Sequence, residues 1–353
     1  MNSCLKKKDP FPLFTNLCEN GELDEAFHGL KCIHSRGVQI PIRSLFCLIR
    51  SCISTKDSSI GQKVQILIHE SGFGSNAFLS SHLVHMFSAF GTLSDTKHVF
   101  SRLFRDEQTV FTWNAIISGY VEHAYGEKAM HFYELMRNEG LIPNAMTFIC
   151  ILKACGIMGA TSVGQQIHEE MINMRLLETD NLVVGTALID MYVKCGLVAK
   201  AQEIFDELPI KDTVTWTMLL TGYAELGKHD IVFKSLDKMM REEGIHPDSR
   251  TFCIVLNTCC HSGLLHEGQL YFKAINKCYG VSPTIEHHSC MIDLFGRAGC
   301  FDEALGMMKE MPFHADLTLW HILLGASKKW GDENLGKFAF ENAIQMNEND
   351  DVA

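Results

Sequence analysis

Thr112-Trp113-Asn114-Ala115-Ile116-Ile117 returns 103 residues later as Thr215-Trp216-Thr217-Met218-Leu219-Leu220. The same long period runs through other phrases. Ile49-Arg50-Ser51-Cys52 becomes Leu152-Lys153-Ala154-Cys155 and then Leu256-Asn257-Thr258-Cys259. Gly91, Gly196 and Gly299 follow the parallel phrases His85-Met86-Phe87, Asp190-Met191-Tyr192 and Asp293-Leu294-Phe295. A fixed period of this kind means stacked units, none of which buries its apolar face alone.

A shorter period subdivides the long one. Small or short residues open the second helix of each unit at Ala26, Gly61, Thr96, Ala129, Gly164, Ala201, Val232, Gly268, Ala304 and Gly336. Successive steps are 35, 35, 33, 35, 37, 31, 36, 36 and 32 residues, so ten units fill almost the whole chain. The short step recurs every third unit, which makes the array one of non-identical triplets.

Within a unit the pattern reads helix, turn, helix, turn. Over 110–144, Trp113, Ile116, Ile117 and Tyr120 follow helical spacing, and the turn falls at His123-Ala124-Tyr125-Gly126. A second stripe runs through Ala129, Phe132, Tyr133 and Met136 and ends at Gly140, with Pro143 beyond it. Gly244 and Pro247 repeat that punctuation one triplet on. Few positions read as strand, so the class is all-α.

Composition limits the alternatives. A chain of 353 residues ordinarily splits into two or three domains, but a solenoid grows along one axis without a second core. No uncharged apolar run approaches the roughly 18 residues that span a bilayer. The nearest, 145–160, contains Lys153 and two glycines, so no membrane association is expected. Fourteen cysteines raise the question of disulfides or zinc. No CxxC exists, and Cys52, Cys155 and Cys259 share one slot on a first helix, where cysteine acts as a small apolar residue in a reducing compartment. The start, Met1 to Lys8, leaves no room for a long transit peptide ahead of the first repeat.

The phrases Thr112-Trp113-Asn114-Ala115-Ile116-Ile117-Ser118-Gly119-Tyr120 and Gly185-Thr186-Ala187-Leu188-Ile189-Asp190-Met191-Tyr192-Val193-Lys194-Cys195-Gly196 resemble plant pentatricopeptide repeat proteins of the PLS subclass. That subclass alternates P-type, long L-type and short S-type repeats. The resemblance implies P-type repeats at 7–41, 110–144 and 213–248, L-type at 42–76, 145–181 and 249–284, and S-type at 77–109, 182–212 and 285–316. Residues 317–350, with Leu319-Trp320-His321-Ile322-Leu323-Leu324-Gly325-Ala326, are similar to the first E-type motif that follows such arrays in RNA-editing factors. Segments 1–6 and 351–353 remain as tails. The implied fold is a right-handed superhelical solenoid of about ten helix-turn-helix repeats. A tetratricopeptide array, with its constant 34-residue period and W-x-x-L-G-x-x-Y signature, does not fit.

Single-stranded RNA exposes the Watson–Crick edges of its bases, so an array presenting one polar pair per repeat can read one base per repeat. The resemblance places that pair at the fifth and last residues of P- and S-type repeats. Here these are Asn114 with Asn144, Thr186 with Asp212, Thr217 with Asp248, and Ser289 with Asp316. Ionised aspartate only accepts, and guanine presents two adjacent donors, so hydroxyl plus Asp favours G. A side-chain amide both donates and accepts, so Asn with Asn suits a pyrimidine, and the family's code favours C. The alternative reading makes Asp212 and Asp248 helix N-caps and Asn114 a solvated polar residue. L-type repeats place Phe46, Ile149 and Cys253 at the fifth position, as spacers or partner contacts. With the N-terminus toward the 5′ end, as in the family, the expected core is pyrimidine, any, G, G, any, G. Phe111, Val183 and Val214, one place after each repeat start, are candidates to wedge between bases or, equally, to pack the helix entry.

Net charge is −11, against the basic surface usual for RNA binders; residues 301–353, with ten acidic and four basic side chains, carry −6 of it. Catalytic motifs are missing. His168-Glu169-Glu170 matches the HxE of cytidine deaminases, but no CxxC completes the zinc site. Gly331 to Lys337 reads GxxxxGK, but Phe338 replaces the magnesium-binding hydroxyl and no strand precedes it. His287-His288 have no companions at metal-ligand spacing, and Met239-Met240 and Met307-Met308 are helix packing. The chain is expected to be no enzyme and to need no cofactor. The reading is a chloroplast or mitochondrial single-stranded RNA binder that specifies a C-to-U editing site. Its deaminase would come in trans from a deaminase-bearing repeat protein, with accessory editing factors. A splicing, stability or translation factor, or a protein-interaction scaffold, stands as the alternative.

Overall fold

Helices come in pairs along the chain because each apolar stripe is followed by a short turn that reverses direction. The computed structural model describes residues 11–74, 76–90, 92–101, 109–176 and 182–350. Gly91, Met1 to Lys8, the tail 351–353 and the repeat joints 102–108 and 177–181 lie outside the described residues. The chain divides into two compact units, 1–179 and 180–353.

The first unit contains α1 (Phe11–Glu19) with α2 (Leu23–Ser35), α3 (Ile42–Thr55) with α4 (Ser58–Glu70), and α5 (Ala77–Phe90) with α6 (Leu93–Ser101). α7 (Val110–Glu122) with α8 (Gly126–Asn138), and α9 (Ala145–Met158) with α10 (Thr161–Asn173), complete it. The second unit contains α11 (Leu182–Lys194) with α12 (Val198–Glu207), α13 (Thr213–Glu225) with α14 (His229–Arg241), and α15 (Ser249–Ser262) with α16 (Leu265–Tyr279). It ends with α17 (Ile285–Ala298) and α18 (Phe301–Glu310), then α19 (Leu317–Trp330) and α20 (Glu333–Asp350). Every regular element among the described residues is helical.

In each unit the odd-numbered helices pack one on the next, α1 on α3 through to α9 and α11 on α13 through to α19. A first helix is therefore sandwiched between its own partner and the first helices on either side. Its sequence must be apolar over most of its circumference, whereas the second helix needs one stripe. α7 buries nine of thirteen residues and α8 five of thirteen, which is the difference the sequence patterns carry. Cys52, Cys155 and Cys259 are fully buried in the first-helix cores, as packing residues.

The Trp of the repeated phrase now has a partner. Trp113 meets Phe100 of the preceding second helix edge-on at 4.7 Å, and Trp216 meets Phe205 edge-on at 4.6 Å. The Trp216 indole N–H also donates to Glu243 at 3.0 Å. The small residues at the head of each second helix lie one turn further in than the sequence suggests. Ala129, Gly164 and Gly268, for example, are the fourth residues of α8, α10 and α16. The turn before them is largely exposed and gives no periodic signal. At Gly268 a Cβ would collide with Leu294 of α17, so the slot is small because the next first helix approaches there. Among the described residues no helix is long and apolar enough to cross a membrane.

Candidate nucleic-acid interface

The residues of the expected base-reading pairs meet at the starts of the first helices. Asn114, Thr186, Thr217 and Ser289 are each the fifth residue of their helix, α7, α11, α13 and α17. Asn144, Asp212, Asp248 and Asp316 are the N-caps of α9, α13, α15 and α19. A pair thus joins one helix's fifth residue to the cap of the next first helix. Each cap oxygen accepts a backbone N–H three residues on: Asn144 from Thr147 at 3.0 Å, Asp212 from Thr215 at 2.8 Å, Asp248 from Thr251 at 2.8 Å, Asp316 from Leu319 at 2.9 Å. Such a cap contributes about 1 kcal/mol. It uses Oδ1, so the second carboxylate oxygen of each Asp, or the amide nitrogen of Asn144, stays outside the cap. The N-cap role weighed from sequence is real, and it also fixes the side chain's direction.

The fifth residues differ in their surroundings. Asn114 is 8 % exposed and donates from Nδ2 to Asn144 Oδ1 at 3.1 Å, while its Oδ1 accepts the Thr147 hydroxyl at 2.7 Å. Thr217 is 2 % exposed, with its hydroxyl 2.6 Å from the Thr213 carbonyl and 3.0 Å from the Thr251 hydroxyl. In that pair Asp248 is the exposed member. Thr186 and Ser289 are half-buried and donate to the carbonyls of Leu182 at 2.7 Å and Ile285 at 2.8 Å. Asn114 and Asn144 are hydrogen-bonded to each other, and Thr217 and Asp248 are linked through Thr251. Thr186 with Asp212 and Ser289 with Asp316 share no such bond among the described residues.

The second residues of the repeats face solvent. Phe111, Val183 and Val214 are 49, 62 and 47 % exposed. Sequence reasoning passed over Phe78, the equivalent residue of α5, which is 50 % exposed. It joins an aromatic strip in the first unit. His82 lies 4.6 Å from Phe78, 4.6 Å from Phe46 and 5.1 Å from Phe111, measured between ring centres. Burial and the neighbouring His85 hold the His82 pKa below the usual imidazole value. Phe46, expected as a spacer or a partner contact, lies in this strip. The signal available in the sequence was the recurrence of Phe at the second position of 77–109 and 110–144.

Burial pushes the Cys52 and Cys259 thiols up to about 12, so they are protonated and poor nucleophiles. His287 and His288 are buried in helix-start hydrogen bonds rather than facing a shared point. No group of three or more His, Cys, Asp or Glu side chains converges among the described residues.

Comparison with known proteins bears on this arrangement. Residues 108–156 and 211–261 match the PPR repeat family, and 186–212 and 286–313 match the PPR repeat. A pentatricopeptide repeat-containing protein of Arabidopsis thaliana is 32 % identical over 331 residues, 94 % of this chain and 64 % of the relative. A chloroplastic one from the same plant is 35 % identical over 306 residues, covering 86 % of this chain and 40 % of its own length. A putative mitochondrial one is 29 % identical over 341 residues, 96 % and 53 % respectively. The chain therefore spans about half the length of the curated relatives it matches. The crystal structure of the pentatricopeptide repeat protein PPR10 in complex with an 18-nt psaJ RNA element aligns with a TM-score of 0.71 at 15 % identity, covering 95 % of this chain and 55 % of that one. The likeness establishes the helical-repeat solenoid. This chain therefore contains pentatricopeptide repeats in both units and is similar to pentatricopeptide repeat-containing proteins along nearly its whole length.

Proposed function

We propose that the chain binds single-stranded RNA in a plant organelle, one base to each P- or S-type repeat, with the repeat limits and types read from the sequence. The observation that carries this is the geometry of the four pairs. In each, the last residue of a repeat is anchored as an N-cap, with a polar atom left over at the start of the next first helix. Donors and acceptors held in place before binding cost little to order when a base arrives. Exposed Phe111, Val183 and Val214 lie three residues, about one helical turn, before Asn114, Thr186 and Thr217. They act as wedges between successive bases. RNA bound to PPR10 and the chloroplastic and mitochondrial names of relatives support the same reading.

The finer role is site recognition for C-to-U editing, supported by the likeness of 317–350 to an E-type motif, with the deaminase supplied by another chain. Selection from randomised RNA should return the spacing pyrimidine, any, G, G, any, G; a selection that returns no G at that spacing removes the base-reading proposal. Asp248→Asn is the sharper probe, because Asn caps a helix as well as Asp does. Only the outward group changes, from an acceptor oxygen to a donor nitrogen. Preference at the fourth position should move from G toward A, whereas a uniform loss of binding would contradict the code. Sequencing organelle transcripts from a knockout separates editing, seen as lost C-to-U conversion at one site, from splicing or stability roles.

A further inference from the structure

We infer that Thr147 sets the hydrogen-bond polarity of the Asn114–Asn144 pair, so that the pair presents donors alone and selects cytosine over uracil. This rests on the base-reading function proposed above and names the group that fixes its specificity in one repeat.

The argument runs outward from a backbone N–H, whose direction is not adjustable. Thr147 N–H reaches Asn144 at 3.0 Å, so the atom it meets must be the amide oxygen, Oδ1. Asn114 approaches that same oxygen at 3.1 Å, so the approaching atom must be its nitrogen. That turns Asn114 Oδ1 toward Thr147, whose hydroxyl lies 2.7 Å away and donates to it. The backbone N–H of Asn144 in turn points at the Thr147 hydroxyl oxygen, at 3.1 Å, so the hydroxyl acts as donor, and of the two amide oxygens in its reach Asn114 Oδ1 at 2.7 Å is nearer than Asn144 Oδ1 at 3.1 Å. Thr147 is fully buried, so no water competes for these bonds.

Each amide oxygen thus already accepts a protein hydrogen bond, and the groups with hydrogens still to give are the two side-chain NH2 groups. Cytosine presents two adjacent acceptors, N3 and O2, on its pairing edge. Uracil places an N–H donor between its two carbonyl oxygens, and that donor finds no acceptor here. Leaving one donor unpaired in a desolvated contact costs the uracil complex affinity.

The second unit contains the natural contrast. Thr251 binds Asp248 in the same way, by its backbone N–H at 2.8 Å and its hydroxyl at 2.8 Å, and touches Thr217 at 3.0 Å. A carboxylate accepts whichever way it is turned, so removing the Thr251 hydroxyl cannot change the polarity of that pair. Thr147 is therefore a positioning residue whose effect depends on the amide beside it, and Thr251 is its control.

The test uses the full chain and four synthetic single-stranded RNAs that carry the expected core and differ only in its first nucleotide, with Kd measured by fluorescence anisotropy. The wild type should prefer C to U by roughly tenfold. Thr147→Val keeps the shape but frees Asn114 Oδ1 as an acceptor, and the C:U ratio should fall to within about twofold. Thr147→Ser should restore it. Thr251→Val, read on RNAs varied at the fourth nucleotide, should keep the wild-type preference for G. The inference is overturned if Thr147→Val retains the C:U ratio, if Thr147→Ser fails to restore it, or if Thr251→Val abolishes the G preference, since the threonines would then act only as caps. A wild type that selects G at the fourth position but treats C and U alike overturns this inference and leaves the base-reading proposal standing. A wild type with no base preference anywhere removes both.

Discussion

At the scale of single residues, His287 occupies the slot that holds Thr147, Thr215 and Thr251 in α9, α13 and α15, the third position of a first helix. It performs the same capping task by different chemistry. Nδ1 accepts the Thr284 backbone N–H at 3.0 Å, which obliges the proton to sit on Nε2, and that N–H donates to the Ser249 carbonyl at 2.9 Å. A second proton would break the Thr284 bond, and burial lowers the pKa from its usual value; Ser249 and Glu286 oppose the shift and His288 adds to it. The folded pKa therefore lies below the unfolded one, and the unfolded chain takes up the proton first. Stability from this residue is complete above about pH 6.5 and is lost as the pH falls. Thermal melts followed by circular dichroism should show a falling midpoint between pH 7 and pH 5. His287→Thr should flatten that slope, leaving the part due to His82, whose shift has the same sign. At pH 7 the variant should be less stable by about 1–3 kcal/mol, because the buried Ser249 carbonyl loses its donor. An unchanged slope would show that His287 is not the titrating group.

At the scale of elements, two glycines in first helices should respond oppositely to the same change. Gly119 of α7 faces Ser88 of α5, and a Cβ there would collide with the Ser88 side chain and come within 3.2 Å of its Cα. Gly119→Ala should destabilise by about 1–3 kcal/mol through overpacking. Gly325 of α19 has nothing within 4 Å of where its Cβ would stand, so Gly325→Ala should stabilise by up to about 1 kcal/mol through helix propensity. Denaturant midpoints measured for both variants decide the matter, and shifts of the same sign would refute the contrast. The close approach repeats two residues beyond the 112–117 phrase and its copy: Gly222, one period on from Gly119, stands the same way against Val193. Helix pairing and the buried stripes were legible because a register fixed by three copies leaves little freedom. The start of each second helix was not, since its first turn mixes residues as different as buried Leu23, Gly126 and Val198 and exposed Glu127 and Lys128 and carries no shared period. The role of Thr147 was also hidden. It depends on which atom of a neighbouring repeat comes within 3 Å, and spacing along one helix cannot reveal that. The ring contacts of Phe46 were hidden for a related reason, because its partners Phe78 and His82 belong to the next helix pair.

At the scale of the whole molecule, the charge of −11 constrains how RNA can be held. Few phosphates can be neutralised by such a chain, so affinity must come mainly from base edges and stacking. If about two phosphates are neutralised, raising salt from 50 to 200 mM should weaken binding by roughly sevenfold. A loss of about a thousandfold would mean that the backbone is the main contact, and that the pairs at the helix starts are secondary. The double duty proposed for Asn144, Asp212, Asp248 and Asp316, capping a helix and reading a base, would have one more consequence. A letter at those places must also be able to start a helix, which admits Asn, Asp, Ser and Thr and penalises nearly everything else. The vocabulary open to mutation is thus filtered by folding before any transcript is met, and a switch between Asn and Asp changes the message at almost no cost to the scaffold.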